Sequence, residues 1–235
     1  MSAQNRMADA VDPDWKWTYR IGGISGLLFG IAYIVIIALY VPMGAPPSGA
    51  EARLAYHAGN ITLWWTILGL SVLTDFLLIP LALSLYLALK GINKNVTLLG
   101  IAFILLFVLL DLAITWPNYA TLITLSSRYA LAANDTERVF FVTAAMSPSI
   151  VLESSLLFIY NTLTLSVGIL MVSLVMLKGI FNKATAYLGI ATGIFGVVAV
   201  FGPFLLSAFS VTIIFASIFT TLWVMFAGHR LYRLG

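Results

Sequence analysis

Apolar residues run along this chain in long uncharged blocks broken by short polar stretches, and these blocks predict six helices of membrane-crossing length. They fall at about Ile21 to Met43, Thr62 to Leu89, Asn95 to Pro117, Ile150 to Leu177, Ala184 to Leu205 and Phe209 to Gly228. A helix needs about 20 apolar residues, each rising about 1.5 Å, to cross a hydrocarbon layer about 30 Å thick. The last two blocks must be separated by a turn, because no charged residue occurs from Ala184 to Gly228 and one helix of that length would far outrun the bilayer. Gly202-Pro203 and the Ser207 to Ser210 cluster mark that hairpin. The fold class expected is all-α, a polytopic bundle of six spans with short outer surface helices. Residues 1–20 form a cytoplasmic segment, 21–229 the membrane domain and 230–235 a cytoplasmic tail.

The segments between spans differ in character. Gly44 to Ile61 opens with Pro46-Pro47 and continues as EARLAYHAGN, a short surface helix. Tyr119 to Ser149 carries NDTERVFFVTAAM, where Asn134 followed three residues later by Glu137 has the spacing of a capping box. That helix is expected to rest as a lid on the bundle or on the lipid surface, with docking of a partner as the alternative. Four-residue glycine steps, Gly22, Gly26 and Gly30 in the first span and Gly189 with Gly193 in the fifth, predict close helix crossings, within the chain or between copies.

Composition reinforces the membrane reading. Hydrophobic residues make up 61% and charged residues 9% of the 235 positions, against roughly 25% charged in soluble domains. The first twenty residues contain three aspartates and lead into a run too long for a cleavable signal peptide, so the first span is expected to be retained. Basic residues sort by side: Arg6, Lys16, Arg20, Lys90, Lys94, Lys178, Lys183, Arg230 and Arg233 on one, and Arg53, Arg128 and Arg138 on the other. Because basic loops stay in the cytoplasm, both termini are expected there, in the cell membrane. All six tryptophans, Trp15, Trp17, Trp64, Trp65, Trp116 and Trp223, are expected near a membrane interface. The absence of cysteine excludes disulfides, thiolate metal sites, iron–sulfur clusters and cysteine nucleophiles.

The candidate chemistry lies in polar groups inside the spans. Asp75 sits near the middle of the second span, Asp111 outward of the middle of the third, and Asn161 of the fourth at a similar depth. A carboxylate at bilayer depth costs about 2.5 to 3.5 kcal/mol, so both acids should face protein or water. No lysine, arginine or histidine lies deep in a span to neutralise them, which favours a protonated, donor-capable form for at least one. Thr74, Thr115, Thr162 and Thr164 are further partners, and Pro80 or Pro117 frees a backbone carbonyl. The cluster reads either as interhelical hydrogen bonding or as a proton, cation or polar-ligand site. Glu153 is expected to begin the fourth span and stabilise its N-terminus. His57 and His229 lie outside opposite faces, which disfavours zinc or haem held in the bundle, and no P-loop or Rossmann glycine pattern is present. No cofactor, metal or nucleic acid is expected.

The stretch LSLYLALKGINKNVTLLGIAF, Leu83 to Phe103, combines a leucine-rich span ending in Leu-Tyr, a short basic turn from Lys90 to Lys94 with Asn93, and a new apolar span. In this it resembles an uncharacterised family of prokaryotic multi-pass membrane proteins, a domain of unknown function. The Ile21 to Ile24 opening after Arg20, the acid Asp75 before Leu-Tyr and the final helical hairpin look similar too, extending the likeness over nearly the whole chain after residue 18. An arginine of that family in the third span is absent here, where Ile104 and Leu105 follow Phe103. The resemblance implies bacterial or archaeal origin and brings no reaction, substrate or catalytic residue. Three functions therefore stay open: a non-enzymatic membrane subunit or small-ligand or lipid-binding bundle, with a homo-oligomer or membrane protein as partner; a proton- or cation-coupled transporter using Asp75 and Asp111; and a lipid-modifying enzyme.

Overall fold

A computed structural model describes residues 13–235, and their regular structure is helical throughout. In order come α1 (Lys16–Tyr40), α2 (Ala50–Ala58), α3 (Ile61–Leu110), α4 (Trp116–Ala130), α5 (Asp135–Glu153), α6 (Ser155–Met176), α7 (Lys183–Phe201) and α8 (Thr212–Tyr232). Five stretches are long and apolar enough to cross a membrane: Lys16–Met43, Ile61–Ala130, Ser155–Met176, Lys183–Phe204 and Ser207–Tyr232.

The second of these stretches has 70 residues and would exceed about 100 Å if straight. It breaks at Asn93, whose φ of −152° and ψ of 91° lie outside the helical region. Asn93 then caps the second limb: its Oδ1 accepts from the Val96 N–H at 3.2 Å, and its carbonyl accepts from the Thr97 hydroxyl at 2.7 Å. The limbs on either side lie against each other, because Trp116 reaches back to Asp75.

Helix α1 packs on α3 and α8, α3 on α6, α6 on α7 and α7 on α8, closing a ring. Leu81, Leu85, Ile104, Val172 and Trp223 fill its interior. Outward faces are apolar as well: Ile24, Leu28, Ile31 and Ile34 of α1 and Ile214, Ile218 and Leu222 of α8 are all exposed. A surface this apolar suits hydrocarbon rather than water. Small polar residues meanwhile go inside, their hydroxyls bonded to carbonyls one turn back, as from Ser71 to Ile67 at 2.9 Å and Thr192 to Leu188 at 3.0 Å. Such bonds satisfy a hydroxyl within its own helix.

The glycine steps serve packing within the chain. Gly22 lies over the Ser84 hydroxyl and Gly189 over that of Ser173; Gly26 abuts Gly228, Gly30 receives Met225, and Gly193 meets Leu170. A Cβ at Gly26 would stand 2.9 Å from the Gly228 Cα, so only glycine lets α1 and α8 cross there. A crossing absent from the sequence reading joins Gly100 of α3 to Gly168 of α6, where a Cβ at Gly168 would meet the Gly100 carbonyl at 2.8 Å.

At one end, α2, α4 and α5 pack into a cap around the fully buried Leu54 and Leu122. The Glu137 N–H bonds to Asn134 Oδ1 at 2.9 Å, while the Glu137 carboxylate reaches back to the Ala133 N–H. Several expected boundaries shift. The third span does not end at Pro117: a π-helical turn, Asp111–Thr115, carries the helix into α4. Pro117 has no N–H and its ring crowds the carbonyl four residues back, and the wider π turn accommodates both effects. Helix α6 starts at Ser155 rather than Ile150, because Ser154, at ψ 123°, breaks the helix and caps Leu156 through its side chain. Glu153 is thereby left at the end of α5 and does not cap the next helix; it pairs instead with Arg53 at 3.0 Å and accepts from the Gly49 N–H at 2.9 Å. The tryptophans divide. Trp17 is exposed, whereas Trp64 and Trp223 are buried in the protein, where their rings fill space between helices. The terminal segment 1–20 lies mostly outside the described residues, as does Arg6.

Candidate functional site

The π turn sets the geometry of the polar cluster. It places the Trp116 N–H on the Asp111 carbonyl, five residues back, and turns the Asp111 and Thr115 side chains toward α6. There Asn161 Nδ2 donates to Asp111 Oδ1 at 2.7 Å and to Thr115 Oγ1 at 3.0 Å. Asp75, on the first limb of α3, accepts from Trp116 Nε1 through Oδ2 at 2.5 Å. Both acids are buried, at 3% and 5% exposure. Each therefore has a neutral donor, and neither has a cation.

Two adjoining chambers open on this cluster. The smaller, about 230 Å³, is lined by Asp75, Asp111 and Asn161 together, with Thr74, Thr162 and Ser217 among its polar walls. The larger, about 360 Å³, is lined by Asp111, Thr115 and Asn161 and by the rings of Tyr33, Tyr40, Trp64, Trp116 and Tyr119. Tyr33, Ser71, Asp111, Trp116 and Asn161 border both. Among the described residues, no lysine, arginine or histidine lines either chamber. Cavities of this size are far larger than the roughly 30 Å³ share of one water molecule.

Two polar atoms at these walls are left over. Asn161 Oδ1 is buried and accepts from no group, its Nδ2 being used on both Asp111 and Thr115. Trp64, 3% exposed, keeps a buried indole N–H with no acceptor. Leaving such groups unpaired costs about 1 to 3 kcal/mol each.

The structure brings Asp111, Asn161 and Thr115 into one hydrogen-bonded set and sets Asp75 on the same chamber. The candidate hydroxyls of Thr74 and Thr164 bond within their own helices. Thr74 borders the smaller chamber but spends its hydroxyl on the Ser71 carbonyl at 2.6 Å, and Thr164 donates to the Tyr160 carbonyl of its own helix at 2.7 Å. Gly22, Gly26, Gly30, Gly189 and Gly193 belong to helix packing and not to the chambers. Missing from the sequence reading were Trp116, Tyr33, Ser71 and Trp64. Trp116 carried a usable signal: it precedes a proline on the limb that returns past Asp75.

Trp64 also links the larger chamber to the cap. Its ring lies 4.7 Å from that of His57 and 5.0 Å from that of Tyr56, centroid to centroid. His57 is 1% exposed, and its Nδ1 lies 2.7 Å from the Arg53 carbonyl. Burial pushes the His57 pKa below its ordinary 6.5, against the opposing pull of that carbonyl. Among the described residues, no group of three or more His, Cys, Asp or Glu stands together as a metal-ligand set.

Comparison with protein-family models, with curated proteins and with solved structures finds no match to this chain. The likeness read from Leu83 to Phe103 therefore rests on the residues alone.

Proposed function

We propose that this chain is an integral protein of the cell membrane that crosses it six times, with both termini in the cytoplasm, and binds a small polar ligand in its acidic chambers. Six crossings come from counting the two limbs about Asn93 separately. The orientation draws support from the gathering of basic residues: Lys90 stacks on Trp15, Arg230 bonds the Ile180 carbonyl, and the chain end at Gly235 meets Arg20. The cap, with fewer basic residues, then lies outside. Membership of the prokaryotic multi-pass family remains part of this proposal.

One observation carries the binding reading: Asp75, Asp111 and Asn161 line a single cavity. A cluster serving packing alone would close on itself and leave no such space. Because the chain has no cysteine, one introduced thiol reports on one place. Ser71→Cys, at the wall common to both chambers, should react with the small neutral reagent methyl methanethiosulfonate in nanodiscs. Ala82→Cys, buried in the core and away from the chambers, should stay unreactive. Failure of Ser71→Cys to react would sink the reading.

A second reading is coupled transport, favoured by the two acids lying on chambers that share Asp111 and Trp116 as wall residues. It predicts that Asp75→Asn or Asp111→Asn abolishes pH-dependent proton or cation flux in proteoliposomes. Unchanged flux in both variants would remove it.

A further inference from the structure

Resting on the ligand-binding reading above, we infer that the larger chamber takes an organic ammonium ion, whose charged head meets Asp111 and Asn161 and whose apolar body lies against the aromatic walls.

Charge gives the first argument. Among the described residues the chambers carry two acids and no basic side chain, so a guest that supplies positive charge and N–H donors complements them, whereas an anion would meet two carboxyl groups and no cation. Asp111 still has Oδ2 free of the Asn161 amide, and Asn161 still has Oδ1. Both are acceptors, as an ammonium head with several N–H donors requires. Hydrogen bonds between charged partners in such a site are stronger than neutral ones.

The walls and the size decide between an inorganic and an organic cation. A hard metal ion gathers six or more oxygens at about 2.0 to 2.6 Å, and the described residues hold no such ligand set. A chamber of about 360 Å³ is also much too roomy for a bare ion. Rings of Tyr33, Tyr40, Trp64, Trp116 and Tyr119 instead offer π faces, which attract an ammonium group and cover an apolar body in the same contact. Trp64, a residue of this wall, has an indole N–H without an acceptor, and an oxygen on the guest would complete it. An arylalkyl ammonium bearing a hydroxyl group meets all three demands.

Tyramine and its neutral isostere tyrosol, in which a hydroxyl replaces the ammonium, provide the test. In Ser71→Cys protein in nanodiscs at neutral pH, tyramine should slow methyl methanethiosulfonate labelling at least tenfold. Tyrosol at equal concentration should slow it less than twofold. Adding Asp111→Asn should abolish tyramine protection, read as the ratio of labelling rates with and without tyramine in that variant, while leaving the elution volume unchanged, which keeps a folding defect apart from a binding defect. Equal protection by tyramine and tyrosol, protection by neither, or protection that survives Asp111→Asn overturns the ammonium assignment and leaves the binding reading standing. A Ser71→Cys thiol that no reagent reaches overturns both.

Discussion

Trp116 donates its indole N–H to Asp75, 41 positions earlier in the chain, and by that bond ties the two limbs of α3 and α4 together beside the chambers. The pairing gives a buried carboxylate a donor without introducing a charge.

Trp116→Phe keeps an aromatic ring and removes that donor, so Asp75 loses a hydrogen bond in a buried site. Destabilisation of about 2 kcal/mol is expected. Asp75→Asn retains an acceptor for the indole and should cost less than about 1 kcal/mol. Thermal unfolding in a mild detergent compares the two. Equal losses would mean that the Asp75 carboxyl group contributes more than an acceptor oxygen at this position.

The glycine positions divide by what a side chain would meet. At Gly168 a Cβ would stand 2.8 Å from the Gly100 carbonyl and 3.0 Å from the Ile104 nitrogen, both backbone atoms that cannot swing away. Gly168→Ala should therefore force α3 and α6 apart, at a cost of about 1 to 3 kcal/mol. Gly69 has open space at the same point, and Gly69→Ala should stabilise α3 by about 0.5 to 1 kcal/mol. Opposite shifts in Tm are the expected result; shifts of one sign would contradict the crossing.

Much of this layout is legible in the sequence for a physical reason: a spanning helix must be apolar along its whole length, so its position shows in composition alone. The polar cluster is partly legible in the same way. Asn93 lies midway in sequence between Asp75 and Asp111, so folding at that basic turn brings the acids to one level. What the sequence hides is direction around each helix. Nearly every face of α3 and α6 is apolar, so no amphipathic stripe reveals that Gly100 meets Gly168 or that Trp116 turns inward. The break at Ser154 is hidden as well, because serine is equally at home as a helix cap or as a packing residue inside a span.

Arg53 and Glu153 join α2 to the end of α5 at 3.0 Å, with Arg53 buried and Glu153 partly open to solvent. Glu153→Gln keeps an oxygen for the Gly49 N–H but leaves the guanidinium without its counter-charge. A loss of about 2 kcal/mol is expected, less than for a fully buried pair because solvent reaches Glu153. Arg53→Met combined with Glu153→Gln should recover part of that loss, since no buried charge is then left alone. If the double variant unfolds at a lower temperature than Glu153→Gln, the pair contributes through packing of the arginine stem instead.

His57 makes the cap sensitive to acid. Its imidazole is buried against Trp64 and Tyr56, and this burial, with the Arg53 charge acting in the same direction, holds its pKa below 6.5. The folded cap thus prefers neutral histidine, while the unfolded chain binds a proton near the ordinary value. Above about pH 6.5 neither state is protonated, and the cap has its full stability. As pH falls below that value, the unfolded state gains protons first, and stability declines until the folded pKa is passed. The Tm of the protein should therefore drop between pH 7 and pH 5, and protease cleavage near Ala58 to Asn60 should quicken. His57→Gln, which keeps a polar side chain of similar reach without a titratable ring, should flatten this dependence. A slope unaltered in His57→Gln would assign the acid response to other groups.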